Sequence, residues 1–517
     1  LYVDLGGKSY KISGKIDLRT GHRIIGNGAT ITQTLADTVP GTTECEIFNI
    51  VGKSNIEIRD VNFVGVGTDL AESDSSHAVA IYSGTSGSNI RVSHCKFTGF
   101  TYASMRCRSI SNGWFTNNYV EGPGAPELTA GVSGKCYGFL SDAGCTDIHV
   151  HGNYFTKTAQ GVIVQQTSRF SLIGNDVYDI VGQHGFYLAA GLTDGVVSGN
   201  RVTNTDLQGI KLQAESGVAD SRRIVISNNT VADCGSHGIL CQHGLGSTSQ
   251  TEKNRGVTIT GNTIRSVGGS AINVQNTIGC VVANNHIDAP SESAVFLSAT
   301  SRVRIIGNQF ENTGTSAVRD SSSNTHIYIG QNTFIDCASS NTAGDRFAVY
   351  ISTGGSEFDI VGNKISDANA KMQYAIYLAA DINATSTICD NIVVNATDAA
   401  IRFSATTALR KYSGNSWTGT LGLTFNDPVL PSVASAGTIT LPTAHDTISI
   451  TGTTAITSIN AAGHSGHTVT LVFTGALTLT NGSNLKLGAN FVTTADDAIV
   501  LTCDGTNWYR AAAGVAN

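Results

Sequence analysis

An all-β fold, a parallel β-helix solenoid followed by a small C-terminal β-sandwich, is predicted by three observations on the sequence. The phrase apolar-x-apolar-x-Gly/Asn-Asn-x-apolar recurs through most of the 517 residues. Short strand patterns of period 2 surround each copy. Beyond Trp417 the style changes to brief alternating strands separated by turn signals.

Composition bounds the alternatives. Charged residues make up 14% of the chain and hydrophobic residues 40%, where an ordinary soluble protein carries about 25% charge. This balance excludes a charge-driven disordered chain and supports a long core. Two Met and Gly-interrupted apolar runs argue against helical bundles. No run approaches the roughly 18 apolar residues of a membrane span, so no membrane insertion is expected. The formal charge of −7 argues against nucleic acid as a partner. The eleven Cys are odd in number and form no CxxC pair, against a zinc ribbon or a full disulfide framework. Cys107, Cys241 and Cys280 sit at apolar strand positions and read as buried thilos of a protein folded in a reducing cytosol.

The chain opens at Leu1 on the strand-like LYVDL, with no basic n-region or cleavage site. The solenoid repeat follows. Its copies include HVHGNYF, LIGNDV, VVSGNRV, VISNNTV, TITGNTI and RIIGNQF. The recurrent Asn is Asn118, Asn153, Asn175, Asn200, Asn229, Asn262, Asn285, Asn308, Asn332, Asn363, Asn391 and Asn415, with Val61 and Cys95 in degraded early copies. A coil of 22 to 25 residues, the spacing from Asn153 to Asn175 and from Asn175 to Asn200, is one rung of a right-handed parallel β-helix. At about 4.8 Å per rung, about fourteen rungs make a rod roughly 65 Å long. The stacked Asn reads as a structural amide ladder at a sharp turn. A second column, Asp179, Asn204, Asp233, Asn312, Asp336, Asp367 and Asn395, reads as Asx turns and accounts for several carboxylates without chemistry.

A later strand follows each Asn phrase: GVIVQQ, HGFYLAA, QGIKLQA, HGILCQH, SAINVQN, FAVYIST and YAIYLAA. The solenoid is expected over 1–423. A linker is expected over 424–436, where TFNDPVLPSVASA holds two Pro, and the β-sandwich over 437–517, serving trimerisation or carbohydrate contact.

The outward columns differ between faces. On the strands before the Asn, outward positions such as Val196, Val225, Thr258 and Val281 are small and uncharged, as expected of a face covered by another subunit. On the later strands one outward column runs through Arg106, Leu140, Ile163, Tyr187, Lys211, Leu240, Arg319, Tyr350 and Tyr377. The next holds Gln165, Gln213, Gln242 and Gln275, and the strand starts add His184, Gln208 and His237. Aromatics, amides and cations stacked along a rod suit an extended carbohydrate, because sugar rings stack on aromatic faces and hydroxyls need amide partners. The same residues also serve merely to solvate a sheet.

The sequence resembles the bacteriophage tailspike proteins. The coils of residues 20–417 are similar to their pectate-lyase-like solenoids. The C-terminal block is the more specific match: ISITGTTAITSINAAGHSGHTVTLVFTGALTLTNGSNLKL, then AIVLTCDGTNWYRAA, resembles the terminal domain of many tailspike depolymerases. The resemblance implies a virion tail protein, assembled as a homotrimer and joined to the phage tail or baseplate through a region upstream of Leu1. It implies binding and usually cleavage of a bacterial O-antigen, capsule or exopolysaccharide. The family has no universal catalytic motif, so candidate residues rest on the columns alone.

Three mechanisms compete. A β-elimination lyase needs a cation for the uronate carboxylate, a base and an acid; Lys211, His184, His237 and Tyr187 supply these types within adjacent rungs. A glycoside hydrolase needs two carboxyls about 5 Å apart for retention or 6.5–9.5 Å for inversion; Glu215 and Asp206 flank one strand, and the long turns QAESGVADSRR and HGLGSTSQTEKNRG bring Glu215 or Glu252 over the face. A non-catalytic adhesin has the same fold. The catalytic candidates are therefore His184, Lys211, His237, Tyr187, Glu215 and Asp206, and the binding candidates Gln208, Gln213, Gln242, Gln275, Arg319, Tyr350 and Tyr377. No HExxH, GGxGxD repeat, GxSxG or GxGxxG in helical context occurs, and neither metal nor cofactor is expected.

Overall fold

A computed structural model describes residues 1–34, 45–65, 78–123, 136–243, 253–339, 346–352, 357–379, 386–403, 411–418, 423–425, 432–442 and 447–511. Every assigned element among them is a strand. A typical rung contributes three: Ser168–Ile173 before the Asn, Asp176–Ile180 after it, and the later strand Phe186–Ala189. Each pairs in parallel with its counterparts one rung below and one above, in steady register. The later strands form one parallel sheet of sixteen, from Ile16–Asp17 to Leu423–Phe425. The other two classes join in a 32-stranded sheet that turns at the Asn corner.

Period 2 explains the core. Val162, Phe186, Ile210, Ile239 and Ile272 occupy one inward column of the later sheet, and all are fully buried. Each such side chain contributes about 1.5–3 kcal/mol through removal from water. Aromatic rings extend the stacking at the lower end, with Phe63 and Phe97 stacked at 4.9 Å. The ten cysteines whose side chains are described are free and buried, including Cys107, Cys241 and Cys280, as expected of small apolar thiols.

The amide ladder is present and better bonded than side-chain stacking alone requires. The Oδ1 of Asn175 accepts both the backbone N–H of Asn153, at 3.0 Å, and its Nδ2, at 2.9 Å. The second Nδ2 hydrogen of Asn153 goes to the carbonyl of Phe115 at 2.8 Å. The pattern repeats up to Asn415, and Cys95 joins it through its backbone N–H on Asn118 Oδ1. The residue before each Asn turns the corner with positive φ. At Gly152, φ is 64°, and an added Cβ would lie 2.5 Å from Asn117 Oδ1.

The Asp/Asn column has a conformational cause. Asp179, Asn204, Asp233, Asn312, Asp336 and Asn395 all have φ between 47° and 64°, a region these two residue types tolerate best after glycine. Asp367 departs from this column's geometry: its buried carboxylate accepts the Met372 backbone N–H instead.

Residues 432–511 build a mixed six-stranded sheet and two two-stranded sheets around a separate core that includes Ile450, Leu471, Phe473, Leu501 and Trp508. The expected linker is shortened at both ends. Leu423–Phe425 still pairs with the solenoid strand Ala399–Phe403, and Ser432–Ala434 already pairs in parallel with Thr447–Thr451. The two Pro, Pro428 and Pro431, lie outside the described residues.

Candidate functional site

The later sheet sets the outward residues in the columns expected. Tyr187 pairs with Lys211 and Lys211 with Leu240, while Ala189, Gln213 and Gln242 align beside them. His184, Gln208 and His237 share the strand-start position: Gly185 N–H bonds to the Gln208 carbonyl and Gly209 N–H to that of His237. One expectation is corrected. Leu140, Ile163 and Leu240 point out of the sheet yet are only 4%, 2% and 4% exposed. Tyr102, Tyr137 and Tyr187 pack against Leu140 and Ile163, so the rungs below Tyr187 present a closed apolar patch.

At Tyr187 the polar cluster begins. The Lys211 Nζ lies 3.4 Å from His184 Nε2 and 5.0 Å from the centroid of the Tyr187 ring. The Tyr187 hydroxyl donates to Glu215 Oε1 at 3.3 Å, and Gln213 Nε2 donates to the same oxygen at 3.2 Å. Gln242 Nε2 in turn donates to Gln213 Oε1 at 3.2 Å. Glu215 reaches the face because the turn after the strand Ile210–Ala214 carries it back over that strand's own rung.

Burial sets the electrostatics of this group. His184 is pushed down to about 3, first by burial and then by the Lys211 charge beside it. Burial lowers the Lys211 ammonium, and Glu215 opposes that shift. Tyr187 is raised by burial and by the Glu215 charge, so its phenol stays protonated. An ammonium only donates, so His184 Nε2 accepts from Lys211 and the ring proton sits on Nδ1. That Nδ1–H is buried without a partner. A buried orphan donor costs about 1–3 kcal/mol.

His237 has a different role from the one expected. Its Nδ1 accepts the Ser270 backbone N–H at 3.0 Å, so its proton sits on Nε2, and Asn273 Nδ2, itself a donor, lies 3.2 Å from it. Nδ1 is engaged by the backbone, and burial lowers the pKa of the ring. His237 is a structural bridge between rungs, with Gln275 extending it to Asn273 at 3.0 Å. Gln208 donates to Ser236 Oγ at 3.1 Å. Asp206 lies outside the cluster: its exposed carboxylate accepts the Gly182 N–H at 2.7 Å and closes a turn. Glu252 lies outside the described residues.

Arg319, Tyr350 and Tyr377 continue the Lys211 column four to six rungs further on. Tyr350 and Tyr377 stack at 5.4 Å, the Arg319 guanidinium lies 5.8 Å from the Tyr350 ring and that of Arg402 5.4 Å from the Tyr377 ring. Two further members were missed from the sequence: Phe347 and Tyr374, whose rings stack at 5.8 Å beneath this platform. They occupy the strand-start column of His184, three residues before an outward tyrosine, as His184 stands before Tyr187. That spacing was the available signal. Among the described residues no three His, Cys, Asp or Glu side chains gather as a metal site.

The family described as right handed beta helix region matches residues 46–251 and 246–416, well over half of the chain. The chain belongs to that family, and its solenoid is a right-handed parallel β-helix. Comparison with curated proteins gives no match. Among solved structures it is similar to the periplasmic alginate epimerase AlgG, with 12% identity over 64% of this chain and 74% of that one, TM-score 0.43. It is similar to the Dettilon tailspike protein (gp208), with 13% identity over 97% of this chain and 71% of that one, TM-score 0.37. A tailspike protein mutant of E. coli bacteriophage HK620, in complex with pentasaccharide, shares 14% identity over 80% of this chain and 70% of that one, TM-score 0.42.

Proposed function

We propose that the protein is a tailspike-type depolymerase that binds a bacterial surface polysaccharide along the later-strand face and cleaves it by β-elimination at a uronic acid. The observation that carries the reading is the grouping of one half-buried lysine, one tyrosine held protonated and one carboxylate around His184. Lys211 would bind the uronate carboxylate and acidify the C5 proton. Glu215 takes that proton, the C4–O4 bond breaks as the C4–C5 double bond forms, and Tyr187 protonates the departing oxygen. The Tyr187–Glu215 hydrogen bond then returns the proton and resets both groups. Arg319, Tyr350 and Tyr377 offer a second platform for the same chain, and the C-terminal TNWY block resembles tailspike terminal domains. A hydrolase is the weaker reading, because Asp206 is committed to the Gly182 amide and leaves Glu215 without a second carboxyl among the described residues of the cluster.

The test is digestion of a uronate-containing host polysaccharide. Ultraviolet absorbance from 4,5-unsaturated ends is expected. New reducing ends without that absorbance would overturn elimination in favour of hydrolysis, and binding without either product would make the protein an adhesin.

We also propose a homotrimer carried on the phage tail. Ile173 and Val196, on the strands before the Asn, are 40% and 37% exposed in the single chain, and a three-fold assembly would cover them. Light scattering should give three chain masses; a single chain mass ends this proposal.

A further inference from the structure

On the other outward face, the strands before the Asn carry a second polar cluster that polysaccharide cleavage does not use. His149 and His151 lie two residues apart on the strand Thr146–His151 and therefore project from the same side. Ser171 is the cross-strand partner of His149 in the next rung. Its Oγ is 2.8 Å from His149 Nδ1 and 2.7 Å from His151 Nε2. Two imidazole nitrogens from one strand thus converge on one point.

We propose that His149 and His151, with Ser171 between them, form a binding site for a single borderline transition-metal dication, such as Zn²⁺, Cu²⁺ or Ni²⁺, the two imidazoles being its protein ligands. Imidazole nitrogen is the ligand type these ions favour. Two imidazoles sharing one tetrahedral ion at about 2.0–2.1 Å have ring centroids about 5 Å apart. The centroids of His149 and His151 are 5.5 Å apart, with the ring planes at 71°, so a small side-chain adjustment suffices. Both rings are already held in place. Trp114, one rung below, stacks on His149 at 3.9 Å and meets His151 edge-on at 5.7 Å. The indole is itself anchored through its N–H to Asn112 Oδ1 at 2.6 Å. Fixed rings lose little freedom when a ligand arrives, as a prearranged chelate requires.

The Ser171 hydroxyl bridges the rings, and rotation about its Cα–Cβ bond opens the point of convergence to the ion. In the single chain all three residues are only half-buried, which leaves room for water to complete the coordination.

The experiment is calorimetric titration of tag-free, full-length protein with zinc chloride, paired with electron paramagnetic resonance of the copper(II) complex. One site per chain and hyperfine coupling to two nitrogens are expected. His149→Ala and His151→Ala should each weaken zinc binding at least about tenfold, the effect of losing one of two nitrogen ligands. Ser171→Ala should retain binding, and His286→Ala, an exposed histidine on another strand class, should match the wild type. Should an alanine variant lose its fold, His149→Gln keeps a polar side chain of similar reach and is expected to lose the metal while melting like the wild type. Absence of a one-to-one site in the wild type, or wild-type affinity in both histidine variants, overturns the proposal.

Discussion

Replacing Lys211 with alanine is expected to slow polysaccharide cleavage by about 10²–10³-fold, the usual cost of removing one charge-stabilising group from a site. The ammonium is half-buried, touches His184 and lies over Tyr187, so its charge acts where little water screens it. Its loss also relieves His184 of one of the two influences that hold its pKa near 3, so a protonated imidazole becomes easier to form. Arginine should rescue little, because a planar fork does not fill the space of a compact ammonium. Initial rates from product absorbance are the measurement, on variants with wild-type assembly and melting. Lys211→Ala activity within about threefold of wild type would move the chemistry elsewhere, and the Arg319–Tyr350–Tyr377 platform would be examined next.

The largest stability effect is expected at the centre of the amide ladder. Asn262 Oδ1 accepts the backbone N–H of Asn229 at 3.0 Å and its amide at 2.9 Å. Asn262 Nδ2 donates to Ile226 O at 3.0 Å and to Asn285 Oδ1 at 2.9 Å. Alanine would remove all four of these hydrogen bonds at once, leaving Asn285 Oδ1 with only the backbone N–H of residue 262. With about 1–3 kcal/mol for each unsatisfied group, and some relaxation, Asn262→Ala should cost about 3–5 kcal/mol. Asn415 ends the ladder and is half-buried, so Asn415→Ala should cost no more than about 1.5 kcal/mol. Denaturant unfolding of both variants measures the contrast. Equal losses would show that the ladder's strength does not depend on its neighbours.

The ladder was legible because one residue type recurs at a fixed place from Asn118 to Asn415, and its amide-to-amide bonds follow from stacking, whereas its bonds to backbone N–H and C=O groups were not legible. The inward columns were legible for the same reason: alternation assigns Phe186, Ile210 and Ile239 to one side without knowledge of contacts. Exposure was not. Leu140 and Ile163 point outward, but tyrosines on neighbouring rungs cover them, and coverage depends on side-chain directions that a column does not encode. The grouping of His184, Tyr187 and Lys211 was visible as adjacency, whereas the passivity of His237 was not. Its partner is a backbone N–H delivered by the next rung at Ser270, after a turn of irregular length. Asp206 and Glu215 looked alike as carboxylates flanking one strand; only the direction of each turn separates the one that caps Gly182 from the one that meets Tyr187.

Two of the three bonds in each ladder step run the same way, and the third, from the second Nδ2–H, returns to a carbonyl of the preceding rung. From Asn118 to Asn391, each side-chain amide gives an N–H to the oxygen of the Asn in the following rung, and each backbone N–H does the same. The forward bonds outnumber the returning one at each step, so along this edge the hydrogen-bond donors point on balance toward Asn415, a direction given to an all-strand rod by a single column of uncharged side chains.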